Sequence, residues 1–267
     1  MDQVPTTDGL TRSSFQPNAA PNVEKHPSMP PEETVREKAV GAFEIKFLVN
    51  FELANKIAEH AKKYLPPDPH AEPEIGDGYR VSSLYFDTPH LDVFRQNGVW
   101  KRSKFRLRRY GSSSVIFAER KSKRRGLVTK RRYAIHESEI PLLQSDTCDT
   151  TWQGAWYHGR IRSRNLYPTM RICYNRLALT AENEHGPIRF TIDRSLRYLS
   201  TDAFDLSPLS QYRTLLDNAA IVEMKFRKSM PIYFKQMLGD YGLTPTSVSK
   251  YRLSIADCRL DQQRLVV

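Results

Sequence analysis

The sequence contains no run of about 18 apolar residues, so no helix is expected to span a membrane. Its acidic, proline-containing start lacks the pattern of a signal peptide. Cysteine is scarce: Cys148, Cys173 and Cys258 form an odd, scattered set, which excludes a complete disulfide framework and has no metal-ligand spacing. A reducing cytosol fits that usage, so a soluble, cytoplasmic chain is expected, with a membrane partner still open. The seven histidines form no ligand cluster, and no repeat of solenoid length occurs. Acids are short as well: 30 Asp plus Glu stand against 41 Lys plus Arg, a net charge of +11 over 267 residues. That excess favours an anionic partner, whether nucleic acid, acidic membrane surface or phosphate compound. Only the placement of the charges can choose among these.

Residues 1–38 carry six prolines among Ser, Thr, Asn and Glu with few large apolar residues, which predicts a disordered tail and a folded domain over 39–262. Asn50 is a plausible N-cap for a helix running to Leu65, with Leu53, Ile57, Ala61, Tyr64 and Leu65 on one stripe and Pro66-Pro67 as its stop. Beyond Gly78 the hydrophobic period changes from about 3.6 to about 2. Strands are predicted at 43–49, 79–87, 104–110, 115–123, 127–135, 169–180, 187–194 and 219–227, with Gly111 and Gly126 marking hairpins. The stretch 149–165 reads as a possible helix, and 231–241 as a helix opened by Pro231 and followed by Gly242. The fold class is mainly β (α+β), antiparallel, with a few covering helices.

Alternate residues of a strand point to opposite sides. Phe43, Ile45 and Phe47 oppose Glu44 and Lys46; Phe105 and Leu107 oppose Lys104, Arg106 and Arg108. Glu119, Lys121 and Lys123 share a face, Lys130 pairs with Arg132, and Arg176 lies on 169–180. Arg189, Thr191 and Asp193 oppose Ile188, Phe190 and Ile192; Glu223, Lys225 and Arg227 oppose Val222, Met224 and Phe226. Any one such polar face could simply meet water. Across six strands, twelve Lys or Arg accompany only Glu44, Glu119, Asp193 and Glu223, and like charges on neighbouring strands repel unless an anion lies between them. A closed barrel with this face inward would have a cationic lumen. Phosphate suits it better than nucleic acid, because Arg forks grip phosphate oxygens while most Phe side chains, which would stack on bases, lie on the other face.

These residues resemble the polyphosphate polymerase domain of the vacuolar transporter chaperone (VTC) family, within the triphosphate tunnel metalloenzymes of the CYTH-like superfamily. The landmarks run in order: FEIKFLV at 43–49, SSLYFDTP at 82–89, KFRLRRYG at 104–111, FAERKSK at 117–123, TKRRY at 129–133, YNRLA at 174–178, RFTID at 189–193, VEMKF at 222–226 and SVSKYR at 247–252. The resemblance implies a closed triphosphate tunnel. It implies phosphate contacts by Lys46, Arg106, Arg108, Lys121, Lys130, Arg176, Arg189, Lys225 and Lys250, with Tyr174 and Ser249 as substrate-binding positions; Lys123 joins them from the same strand face. It also implies that Glu223 holds Mn²⁺ or Mg²⁺, and that the γ-phosphoryl group of ATP passes to a growing polyphosphate end. The partners would be ATP, polyphosphate and pyrophosphate, with no nucleic acid. An acceptor that is already anionic requires no general base, so the lack of a nucleophile–base pair is no objection.

Hydrolysis by a tunnel triphosphatase is the nearest rival. Those relatives carry paired glutamates in an E-x-E-x-K pattern, and here Ala42 holds its first position before Glu44 and Lys46. A non-catalytic polyphosphate-binding module is a second rival, and nucleic-acid binding through Arg120 to Arg125 (RKSKRR) a third, although that run also reads as a solvated hairpin end. Asp87 is expected to cap a strand end rather than bind metal, and Trp152 and Trp156 to pack a helix. The eukaryotic family architecture adds an inositol-phosphate-sensing domain and transmembrane helices, neither of which is in this sequence, so a stand-alone enzyme docked by a membrane-protein partner is expected.

Overall fold

A computed structural model describes Met1 and residues 42–72, 75, 76, 78–124, 127–207 and 211–258. Apart from Met1, the expected tail over 1–38 lies outside them, as do 39–41 and 259–262 of the expected domain and the turn residue Gly126. Eight strands stand where alternation placed them: β1 Phe43–Asn50, β2 Gly78–Asp87, β3 Ser103–Tyr110, β4 Val115–Arg124, β5 Leu127–His136, β6 Tyr167–Asn183, β7 Gly186–Ser200 and β9 Ala219–Phe226. A two-residue strand, β8 Arg213–Thr214, pairs with β7. All ladders are antiparallel, in the order β1-β9-β7-β6-β2-β3-β4-β5.

The helices cover the apolar face. α1 Phe51–Lys62 starts at Asn50, whose side chain accepts from Leu53 N at 2.8 Å. With α4 Ile232–Asp240 it buries Ile57, Ala61, Phe234 and Met237 against Phe47, Leu179, Phe190, Val222 and Met224. α3 Ala155–Ser163 lays Tyr157 and Ile161 on Phe105, Leu107 and Ile116. Each fully buried Phe, Leu or Ile of this kind contributes about 1.5–3 kcal/mol. Two short α-helices were not expected, α2 Asp92–Arg95 and α5 Lys250–Asp257, which leans on the inner face; nor were β8 and the 3-10 turns Gly98–Arg102 and Glu137–Gln144. No helix among the described residues is long and apolar enough to cross a membrane.

The expected closed barrel is corrected in one respect. The sheet curls until its edge strands approach, but among the described residues Ala42, just before β1, and Val128 of β5 make one isolated bridge, with Val128 N donating to Ala42 O at 3.3 Å, and no continuous ladder. Side chains span the rest of the seam: Lys121 of β4 reaches Glu44 of β1 at 2.7 Å. Drawing the edges to the roughly 4.8 Å of a ladder would press Lys46 toward Lys121 and Lys130, like charges that repel without an anion between them.

Candidate functional site

Strand register brings the charged residues into rows. Lys46 of β1 stands opposite Glu223 of β9, and Glu44 opposite Lys225, which in turn faces Arg189 of β7. Arg176 faces Asp193, Arg106 faces Glu119, and Lys121 faces Lys104 on one side and Lys130 on the other. A β-bulge in β7 bends the sheet here: Ser195, at φ 51°, lies where the register with β6 slips between Cys173 and Asn175.

Each carboxylate is shared among cations. Glu44 meets Lys121 at 2.7 Å, Lys46 at 3.0 Å and Lys225 at 3.9 Å. Glu223 pairs with Lys225 and, at 3.5 Å, with Lys46. Glu119 binds Arg106 at 2.6 Å and Lys130 at 2.9 Å, while Asp193 binds Arg176 at 2.6 Å and also Lys250. Arg189 is held by Asp68 at 2.6 Å and donates to Tyr79 Oη at 2.7 Å. Two cations meet hydroxyls and, among the described residues, no carboxylate: Arg108 donates to Ser83 Oγ at 3.0 Å and Lys104 to Ser249 Oγ at 2.7 Å. The inner face therefore keeps a surplus of positive charge. It is reachable: the side chains of Lys46, Lys121, Lys225 and Lys130 retain 22%, 25%, 30% and 36% exposure.

Crowding of like charges shows in the acidities. Burial, with Lys46 adjacent, pushes Lys121 down to about 7, and burial with Lys46 and Arg106 nearby brings Lys104 down to about 8. Lys46 moves the other way: despite burial, it draws on Glu223 and Glu44 together and is raised. Burial would raise the Tyr110 phenol, but Arg108 beside it wins and lowers it to about 7. Burial likewise opposes the lowering of Glu44 to about 2 and of Glu223 further, where Lys225, Lys46 and Lys121 prevail.

The carboxyl-terminal segment closes over one part of this face. Thr246 N donates to Lys46 O at 2.7 Å, and Ser249 caps α5 by accepting from Arg252 N at 3.3 Å. Lys250 Nζ then lies 4.7 Å from the Tyr174 ring centroid, and Tyr251 stacks on Tyr85 at 5.3 Å. Asp87 accepts from the backbone N–H groups of Thr88, Val93 and Phe94 and from the Tyr251 hydroxyl. It is a structural cap, as its place at a strand end suggested.

With this geometry, the VTC domain is the family that matches, over residues 42–258. The chain belongs to the VTC domain family. No curated protein matches it. Among solved structures, a candidate adenylate cyclase of Bacillus halodurans aligns at 15% identity over 78% of this chain and 95% of its own, with a TM-score of 0.46. The PH1819 protein of Pyrococcus horikoshii OT3 aligns at 10% identity, 81% and 99% coverage and TM-score 0.44. A candidate adenylyl cyclase of Hippeastrum, described as having a dominant triphosphatase activity, aligns at 14% identity, 79% and 93% coverage and TM-score 0.43.

In this VTC domain the expected residues Lys46, Arg106, Arg108, Lys121, Lys130, Tyr174, Arg176, Arg189, Glu223, Lys225 and Lys250 lie together on the inner face. Ser249 sits beside them with its hydroxyl engaged as a cap, and Lys123 stands exposed near the end of β4. Sequence reasoning missed Asp68, in the loop after Pro66-Pro67, and the phenols of Tyr79 and Tyr85; no local pattern marks a residue that meets the site only through the curl of the sheet. Among the described residues no three His, Cys, Asp or Glu side chains gather as a metal cage. Glu44 and Glu223, sharing Lys46 and Lys225, are still a suitable donor pair for a hard cation that takes its remaining ligands from water and substrate phosphates.

Proposed function

We propose that this VTC domain lengthens inorganic polyphosphate, transferring the γ-phosphoryl group of ATP to the chain end within its cationic inner face. The observation that supports this most is the ratio of charges: ten Lys or Arg side chains face five carboxylates, which pair with eight of them and leave Arg108 and Lys104 to hydroxyls. Such a surface suits holding a long anion more than activating water. A terminal phosphate oxygen of the chain attacks Pγ as the bond from Pγ to the bridging β-oxygen breaks, leaving ADP and a chain one unit longer. The acceptor oxygen carries its own negative charge, so no proton need be removed. Arg106, Arg108, Arg176 and Arg189 would grip phosphate oxygens in forked fashion, and Lys46, Lys121, Lys130, Lys225 and Lys250 would offset the charge that both anions bring. Glu223, with Glu44 beside it, would hold Mn²⁺ or Mg²⁺, which when bound supplies charge neutralisation on the phosphates.

The test is purified protein incubated with ATP and Mn²⁺, with and without pyrophosphate, resolving ADP, free phosphate and polymer on one gel. A metal-dependent polymer ladder with matching ADP is expected. Free phosphate without polymer would replace this reading with a triphosphatase. Tight polyphosphate binding without turnover would replace it with a binding module.

A further inference from the structure

The opposite face of the same strands carries a second cationic cluster. Residues 120–122 do not form one patch: alternation sends Lys121 inward and Arg120 and Ser122 outward. On the outer face Arg120 stands directly opposite Arg131 of β5, with Phe105 of β3 on its other side. The next row is Ser103, Ser122 and Thr129, and the Ser103 and Ser122 hydroxyl oxygens lie 3.4 Å apart beside the Arg120 guanidinium, which donates to Ser103 Oγ at 3.3 Å. From above, α3 contributes Trp156, Arg160 and its C-cap Arg164, one stripe at four-residue spacing. Arg131 lies 3.9 Å from the Trp156 ring centroid and Arg164 5.2 Å from that of Trp100. Arg120 and Arg164 both lie 5.9 Å from the Phe105 centroid.

No carboxylate pairs with any of these four arginines among the described residues. Burial, then Arg164, Arg160 and Arg131, hold Arg120 below its ordinary acidity range, so its charged neighbours are all of its own sign. Its Nε is buried and has no hydrogen-bond partner. Arginines at a helix C-terminus complement the helix dipole, which accounts for Arg160 and Arg164. It does not account for Arg120 and Arg131, placed opposite each other where like charges destabilise a sheet.

We propose that this cluster is a second phosphate-chain site, seated on the outer face and back to back with the inner channel through β4. The guanidiniums already cover faces of Trp100, Trp156 and Phe105, so what the cluster presents is forked positive charge with hydroxyls beside it. That matches successive phosphates better than bases in need of a free ring to stack on. The choice of a phosphate chain as ligand rests on the function proposed above, whereas the existence of an anion site does not. A chain passing over the exposed edge strand β5 would meet Arg131 first and then Arg160 and Arg164.

Titration of the full chain with inorganic tripolyphosphate, too short to reach both faces, tests the proposal by calorimetry at low salt. Two sites per chain are expected. The double variant Arg160→Gln/Arg164→Gln, at exposed or half-exposed positions, should weaken one of them at least tenfold, leave the other intact, and abolish the ligand-induced change in tryptophan emission. Lys225→Gln should weaken the other site only. A single wild-type site that the folded double variant leaves unaltered, or two sites that it leaves unaltered, would overturn the proposal. Binding at the outer site alone would uphold it and count against the inner-face reading. Outer-site binding of a single-stranded oligonucleotide or of anionic lipid vesicles more than tenfold tighter than of a phosphate chain of equal charge would overturn the ligand assigned.

Discussion

Lys121 is the side chain at which the charge of the inner face becomes a measurable pH dependence. Burial and Lys46 bring it down to about 7 from an ordinary 10.5, so in the free protein it gives up its charge as pH rises through neutrality. A bound polyanion restores the proton. Polyphosphate binding above pH 7 is therefore expected to take up a proton, and affinity to decline as pH climbs from 7 toward 9. The folded value lies below the unfolded one, so the unfolded chain holds more protons between these values and the stability of the free protein rises with pH across that window. Calorimetry in two buffers of different ionisation enthalpy reads the uptake directly, using a long chain whose internal phosphates do not titrate there. Lys121→Met should reduce it, leaving the uptake that Lys104 and Tyr110 contribute; equal heats in both buffers for the wild type would contradict the assignment.

Elements differ in how openly the sequence announced them. The eight longer strands were legible because each alternates large apolar side chains with charges, and α1 because Asn50 and Pro66-Pro67 bound its stripe. α5 was not read, since KYRLSIAD has little amphipathic contrast; the one available signal was Ser249 as an N-cap. β8, with two residues, is too short for any period. The open seam was also hidden, because alternation says which face a residue joins but not whether two edges meet. α5 is held by Lys250 on Asp193, by the Tyr198 hydroxyl on Asp257 and by a clamp of the Tyr251 hydroxyl on Asp87, the last of which also ties down α2 through the N–H groups of Val93 and Phe94. Tyr251→Phe should cost about 1–2 kcal/mol, a fall in Tm of roughly 2–8 °C, and hydrogen exchange should quicken in α5 ahead of the β strands. Uniform exchange across the sheet and α5 would refute the clamp.

For the whole molecule, the sequence showed which cations share a face but not which carboxylates meet them. Arg189 with Asp68 and Lys121 with Glu44 are contacts made by curling, between residues far apart along the chain. RKSKRR reads as one run because composition ignores alternation; folding divides Arg120 and Lys121 between an outer and an inner surface. The resulting molecule is a curled sheet, apolar where helices cover it and cationic on both sides of β3, β4 and β5. The central claim is that its inner surface moves the terminal phosphoryl of ATP onto a phosphate chain. Label tracing tests this most directly, with ATP carrying ³²P in the γ or the α position, a pyrophosphate primer and Mn²⁺. The expected result is γ-label in polymer that an exopolyphosphatase degrades, α-label only in ADP and unspent ATP, and at least tenfold less incorporation by Arg108→Lys, which keeps the charge but loses the fork. γ-Label released as free phosphate in place of polymer, α-label in AMP or a cyclic nucleotide, or full incorporation by Arg108→Lys would contradict it.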